Sequence, residues 1–375
     1  MLFTETIPDL GRTEPAVHYA IMAVCALASA VAPNVIPTMG ESIIDRNTHY
    51  NCAINYYSHA LRLVRLQQDV GSHWTLRAIM VNCILFACFE ALHDSTDAAI
   101  KHINYGLVLL EQFVCSAGPA PGAEEGTRRE GTPESFQLDE EIFATFRRLE
   151  CLSWTSRLLE QIPTIPRIHR CPLRFNTKAP FTDLLVARKQ LDLASHETMR
   201  AVLAENVRRT GYAPDESIDP ELLEKGDSQN LEAMETWRVL FEPLYTSAKA
   251  SKTANPERYL QATFLLLENV STWVTLRTSS SSDENTRRSL IPHFKEIIRL
   301  SNVLLADQPK PSGCTEVFTM SHGPALALTV VVAKCLDPVV SADARMLLEK
   351  HPRRDAFWDG RTVPKYIEVK PEYDI

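Results

Sequence analysis

The stretch from Asn82 to Phe113, NCILFACFEALHDSTDAAIKHINYGLVLLEQF, places Cys83, Cys88, His93, His102 and several acids within one short span. Thiolates, imidazoles and carboxylates are the ligands of zinc and the groups of acid–base catalysis, so their spacing decides what they could do together. Five residues of α-helix turn through about 500°, which sets Cys83 and Cys88 roughly 140° apart around one axis. They cannot both address one ion from the same helix. Zinc sites offer close pairs such as C-x2-C or H-x3-H, and the chain contains no C-x2-C. The spacing therefore predicts packing cysteines. It places His93 at a turn and His102 in the following helix, with Ser95 or Thr96 capping that helix and Asp97 in its first turn.

Other candidates are weaker. Ser312-Gly313-Cys314-Thr315 sets a thiol in a loop beside a helix start, where a cysteine without an identified basic partner is more often inert. The run LDEEIF (138–143) is the nearest approach to the acid-rich motif of a magnesium-diphosphate site, yet it lacks the spaced third carboxylate and a second such motif. His322, before Gly323-Pro324, reads as a surface or capping histidine rather than a base. No G-x-S-x-G elbow and no phosphate-cradling glycine loop occurs. No residue is assigned a catalytic, cofactor-binding or metal-binding role, and the expectation is a protein that is not an enzyme and carries no cofactor.

The elements that position these residues follow from composition and periodicity. The chain has 375 residues, 45% of them hydrophobic and 23% charged, with only 13 glycines against 23 prolines. Few glycines and long apolar-periodic segments favour helices over a turn-rich β architecture. A net charge of -8 argues against a chain that itself grips nucleic acid, because neutralising phosphates needs clustered Lys and Arg. The pairs Arg128-Arg129 and Arg353-Arg354 are too small to change that. Nine scattered cysteines, an odd number, are not a disulfide framework and fit a reducing compartment. The apolar run from Ala20 to Pro33 imitates a signal peptide but lacks a basic leader and is too short to span a membrane, so it predicts a buried helix. The triplet Asn269-Val270-Ser271 then carries no glycosylation meaning.

Periodicity predicts helices over roughly 14–31, 41–69, 75–92 and 96–115. Residues 116–135 hold four of the thirteen glycines and no large apolar residue, which reads as a flexible surface loop. Helical pattern resumes at 138–160 and is followed by a proline-marked irregular segment (162–180), then one or two helices from Phe181. A loop-like stretch (211–230), a long helical stretch (231–277), a polar connector (278–285) and helices over 286–306, 315–335 and 338–350 complete the chain. Asp337-Pro338 is a helix-start signal. No strong alternating strand pattern appears. The segments 53–64 and 99–110 echo each other, with a small residue mid-helix in each (Ala60 and Gly106), which fits two helical hairpins packed side by side. The expected fold is all-α, an irregular multi-helix array of packed helical hairpins: an N-terminal helical part (1–115), a flexible loop (116–137) and a C-terminal helical part (138–375) of the same domain.

Three stretches together resemble the regulatory domain of fungal zinc-cluster transcription factors, often called the middle homology or fungal-specific transcription factor domain. They are EPAVHYAIMAVCALASA with HYNCAINYYSHALRLV (14–30 and 49–64), LFACFEALHDSTDAAIKHINYGLVLLEQ (85–112), and AKCLDPVVSADARMLLEKHPRRDAFWD (333–359). The segment DEEIFATFRRLECLSW (139–154) is similar to the family's central helix. The resemblance covers most of 14–359. It departs from the family at Leu336 and Ser341, where basic residues are common, and at Ala356, where glycine is usual. The six-cysteine DNA-binding module, which would lie before this region, is not among the thirteen residues preceding Glu14. The resemblance implies a nuclear, transcription-regulator-like protein without its own DNA-reading part. It would act through protein partners, either a full-length transcription factor or a second copy in a homodimer, with no direct nucleic-acid contact and no membrane association. Control of a secondary-metabolite gene cluster follows from the family's habits. The competing expectation is a helical scaffold or binding protein with no direct transcriptional role.

Overall fold

A computed structural model describes residues 2–31, 43–67, 73–116, 140–160, 178–210, 227–280, 283–306 and 317–360. Almost all of them are helical, and the fold is all-α. Contacts group the chain into two compact units, Met1–Glu150 and Cys151–Ile375.

The N-terminal unit opens with a single π-helical turn, Leu2–Thr6, followed by α1 (Ile7–Thr13), α2 (Pro15–Val31), α3 (Ile43–Gln67), α4 (His73–Leu92) and α5 (Thr96–Ser116). The first part of α6 (Glu140–Glu160), up to Glu150, also belongs to it. The opening helices fall in a region where the periodicity predicts none. Helix α2 packs on both α3 and α4, and α4 packs on α5, so two antiparallel hairpins meet along α2 and α4. Helix α2 buries Ala16, Val17, Ala20, Ala23 and Leu27, a stripe at helical spacing. Its small residues, with Ala53 and Ala60 on α3, let the two backbones approach closely. Every residue from Ala78 to Phe89 is buried, which makes α4 the central helix of the unit. Among the described residues no helix is long and apolar enough to cross a membrane.

The C-terminal unit is built around α9 (Pro256–Ser280), which touches α7 (Leu184–Thr210), α8 (Asp227–Ala250), α11 (Ile291–Ala306) and α12 (Pro324–Lys334). The short α10 (Glu284–Ser289) leads into α11, and α13 (Pro338–Lys350) packs on α12. Helix α8 sets Trp237, Phe241 and Tyr245 four residues apart, so that their rings follow one another down the core; Trp237 and Phe241 stack with centroids 4.4 Å apart. The Trp237 indole N–H donates to the Ala187 carbonyl at 2.9 Å, which satisfies the one polar atom of this buried ring. Asp337 caps α13 as its sequence predicts, its carboxylate accepting from the Val339 and Val340 amides at 2.9 and 3.3 Å.

The structure corrects three expectations here. The helical stretch expected at 231–277 is two helices, α8 and α9, divided by a turn at 251–255 in which Asn255 caps α9 through the Arg258 amide at 3.0 Å. The expected helix at 315–335 is instead a strand β1 (Val317–Thr319) followed by α12 from Pro324. Finally, β1 pairs in parallel with β2 (Arg353–Asp355), which pairs antiparallel with β3 (Trp358–Asp359). These strands are too short to show a period of two. Of the expected loop at 116–135, Ser116 is the last residue of α5 and 117–135 lie outside the described residues.

Candidate functional site

Two clusters of polar side chains stand out, a part-buried one in the N-terminal unit and a largely buried one in the C-terminal unit. In the N-terminal unit, the seven-residue step from Tyr50 to Tyr57 places both tyrosines on one face of α3, and Phe86, Phe89, Glu90 and His93 share the facing side of α4. The Tyr57 ring stacks on Phe89 with centroids 4.1 Å apart and 5° between planes, and meets Phe86 edge-on at 5.3 Å. Its hydroxyl donates to Glu90 Oε1 at 2.5 Å and lies 3.0 Å from His102 Nε2 on α5. One proton cannot serve both neighbours. With the Tyr57 proton on Glu90, the imidazole Nε2–H donates to the phenol oxygen, which fixes the tautomer of His102. Tyr50 and His93 form a second link, 2.7 Å between Oη and Nε2. Three helices are thus tied through one tyrosine.

The electrostatics follow from burial. Desolvation, reinforced by the hydrogen bond to Glu90 and its charge, pushes the Tyr57 phenol well above its ordinary value. Burial lowers the pKa of His102, and the Glu90 charge opposes that. Cys83 and Cys88 are both buried, and burial pushes each thiol up to about 12, so neither offers a thiolate. They do not meet the histidines. Cys83 instead backs Gly106, where an added Cβ would lie 3.3 Å from the Cys83 Cβ and inside the Phe146 ring of α6. Glycine is needed there for close approach, as the small mid-helix residue predicts. The turn between α4 and α5 closes through Asp94 at φ 66, with the Ser95 amide bonded to the Glu90 carbonyl at 2.8 Å. Helix α5 starts at Thr96, as predicted.

In the C-terminal unit the buried groups are charged. Arg188 of α7 pairs with Asp192 at 2.8 Å on its own helix and with Glu268 of α9 at 2.6 Å. Burial opposes the charge on Arg188, and the two carboxylates outweigh it, holding the guanidinium above its ordinary value. Next to this pair, Ser271 Oγ lies 3.4 Å from His322 Nε2. Burial lowers the pKa of His322, while Glu268 and Asp355 act in the opposite direction. His322 is therefore a half-buried member of a polar cluster beside Ser271, where its position before Gly323-Pro324 suggested a surface or capping histidine. Asp355 is fully buried and accepts four hydrogen bonds: from Thr319 Oγ1 at 2.9 Å, the Ala325 amide at 2.7 Å, and Arg353 Nε and Nη2 at 2.8 and 2.6 Å. Gly323 is glycine because a Cβ there would enter that carboxylate.

Serine, histidine and aspartate in one place raise the question of acyl transfer. Ser271 is 1% exposed and sits mid-helix, its hydroxyl already donating to the Glu268 carbonyl at 3.2 Å. Within its own helix the backbone amides around Ser271 are taken up by the helical hydrogen bonds. Arg353 and Arg354 are also buried, 3% and 9% exposed, so this pair is not a surface basic patch. Asn269 is 1% exposed and its amide donates to the Met234 carbonyl at 3.1 Å, closing the glycosylation triplet to modification in the folded chain. Among the described residues no group of three or more His, Cys, Asp or Glu side chains could hold a metal ion. Cys314 and its neighbours lie outside the described residues.

Neither cluster was legible as a site, because each joins residues far apart in sequence, 45 apart for Tyr57 and His102 and 51 for Ser271 and His322. The seven-residue tyrosine step on α3 was the available signal for the first. Compared with known proteins, the chain matches no family model, no curated protein and no solved structure.

Proposed function

We propose that this chain is a regulatory module of the fungal zinc-cluster transcription factor type, working in the nucleus through protein partners without reading DNA itself. The observation that carries this reading is where the C-terminal resemblance falls. In CLDPVVSADARMLLEKHPRRDAFWD, Asp337-Pro338 starts α13, Arg353 and Asp355 form the buried ion pair, and Trp358 is buried in β3. These residues form connected load points of the fold, which is what a family signature for a non-catalytic domain should consist of. The buried polar side chains of both clusters are engaged with one another, which suits a module that signals by docking rather than by chemistry. The partner is a full-length regulator of the same type, and the target is a gene cluster of secondary metabolism.

Chromatin occupancy of the tagged protein tests this. Nuclear enrichment with promoter association, lost when the partner regulator is deleted, is the expected result. A protein absent from nuclei and from every promoter is instead a helical scaffold without a transcriptional role.

A further inference from the structure

Between α9 and α11 the chain forms α10 (Glu284–Ser289), six residues with no buried side chain. Its sequence is ENTRRS, so Ser289 ends the helix directly after Arg287 and Arg288. We propose that Ser289 is a phosphorylation site for an arginine-directed protein kinase, and that the phosphate unwinds α10 while leaving α11 in place. This switch requires no role in transcription.

A kinase takes its target in extended form, so the acceptor segment must open locally with its hydroxyl in reach. Ser289 is exposed, as are Asp283, Glu284, Asn285 and Arg288. The side-chain links along the segment are few. Asp283 caps α10 through the Thr286 amide at 2.9 Å, and Arg288 reaches Glu284 at 2.6 Å, both at the exposed surface. An exposed ion pair of that kind contributes little to holding a helix. Opening α10 uncovers no core residue before Leu290, which is buried and anchors the start of α11. The same Arg-x-Ser spacing recurs at Arg299 and Ser301, where the serine is fully buried within α11. Spacing offers both serines, and the fold leaves Ser289 in reach.

The step is phosphoryl transfer from ATP. Ser289 Oγ bonds to the γ-phosphorus, the bond from that phosphorus to its bridging oxygen breaks, and ADP leaves. The hydroxyl proton passes to the kinase's catalytic carboxylate. Charge then decides what the phosphate does. Glu284 lies in the first turn of α10 and Arg287 and Arg288 in the last, the order that the helix dipole favours. The Ser289 hydroxyl now donates to the Thr286 carbonyl at 2.7 Å, at the negative end of that dipole. A phosphate of about two negative charges loses that bond and stands beside carbonyl oxygens, which destabilises the end of α10. The same charge precedes the first turn of α11, where the dipole favours it. One helix is weakened and the next is not.

The folded full chain, incubated with ATP and the catalytic subunit of cAMP-dependent protein kinase, tests the site by mass spectrometry. Phosphate at Ser289 and none at Ser301 is the expected result. Ser289→Ala should abolish that label, and Arg287→Gln should slow it. Absence of phosphate at Ser289, or equal labelling of Ser301, overturns the assignment. Amide hydrogen exchange on the phosphorylated chain reads the switch: exchange over 284–289 should rise about tenfold while α11 keeps its protection. Unchanged exchange in α10, or an equal rise along α11, refutes the unwinding.

Discussion

The polar seam of the N-terminal unit and the ion-pair cluster of the C-terminal unit bury polarity by different means. The N-terminal unit uses a neutral hydroxyl and imidazole tied to one partly buried carboxylate, between rings that stack on one another. The C-terminal unit uses full ion pairs, Arg188 with Asp192 and Glu268, and Arg353 with Asp355. Links of this kind cost less to bury than ion pairs and are worth about 1 kcal/mol when neutral and up to about 3 kcal/mol when one partner is charged, so such a seam is adjustable. Buried ion pairs are costly to assemble and costlier to break, because removing one partner strands the other charge. The N-terminal seam is therefore the more adjustable of the two clusters, and the C-terminal one the costlier to break.

That contrast gives an order of expected effects. Asp355→Ala should be the most damaging, since it removes four hydrogen bonds at once, from the buried Arg353 guanidinium, the Thr319 hydroxyl and the Ala325 amide; a loss of about 3–5 kcal/mol should appear in denaturant unfolding. Glu268→Ala should cost about 3 kcal/mol by leaving Arg188 with a single carboxylate. Arg188→Met should cost at least as much as Glu268→Ala, since it takes the guanidinium from both Asp192 and Glu268; a smaller loss would mean the ion pairs are not what the cluster depends on. Tyr57→Phe keeps the stack and removes the hydroxyl, so about 1–2 kcal/mol is expected from calorimetry, well below the Asp355 effect. A Tyr57→Phe loss as large as that of Asp355→Ala would erase the distinction between the units. Smallest, and opposite in sign, is Ala356→Gly. Ala356 has φ 52, in the left-handed region that favours glycine, and relieving this should add on the order of 0.5 kcal/mol.

Much of this fold was legible in the sequence, and the reasons for success and failure are specific. Helices α2 to α5 were readable to within about two residues because each carries a long apolar pattern ended by polar turn residues. Gly106 was readable as a close-contact point, and Phe146 is what it contacts. The division of α8 from α9 was missed although Asn255-Pro256 is the same kind of signal as Asp337-Pro338, which was recognised. The apolar rhythm continues on both sides of Asn255 and masks it. The three strands hold three, three and two residues, so alternation had no length in which to show. Glycine's usual place at 356 was noted from the resemblance, and the backbone there accounts for it. The two clusters stayed hidden because tertiary packing, not spacing, brings Tyr57 to His102 and Glu268 to Arg188.

The position of Asp355 has a consequence for dividing the chain. Its carboxylate caps α12 from beyond the end of α13, reaching the Ala325 amide across 30 residues of sequence. A fragment that stops at Lys350 retains every residue of α12 and α13, yet its first unsatisfied group is at the start of α12. Truncation at the C-terminus would be felt in the interior before it was felt at the cut, so the minimal folding fragment must extend past α13 through β3.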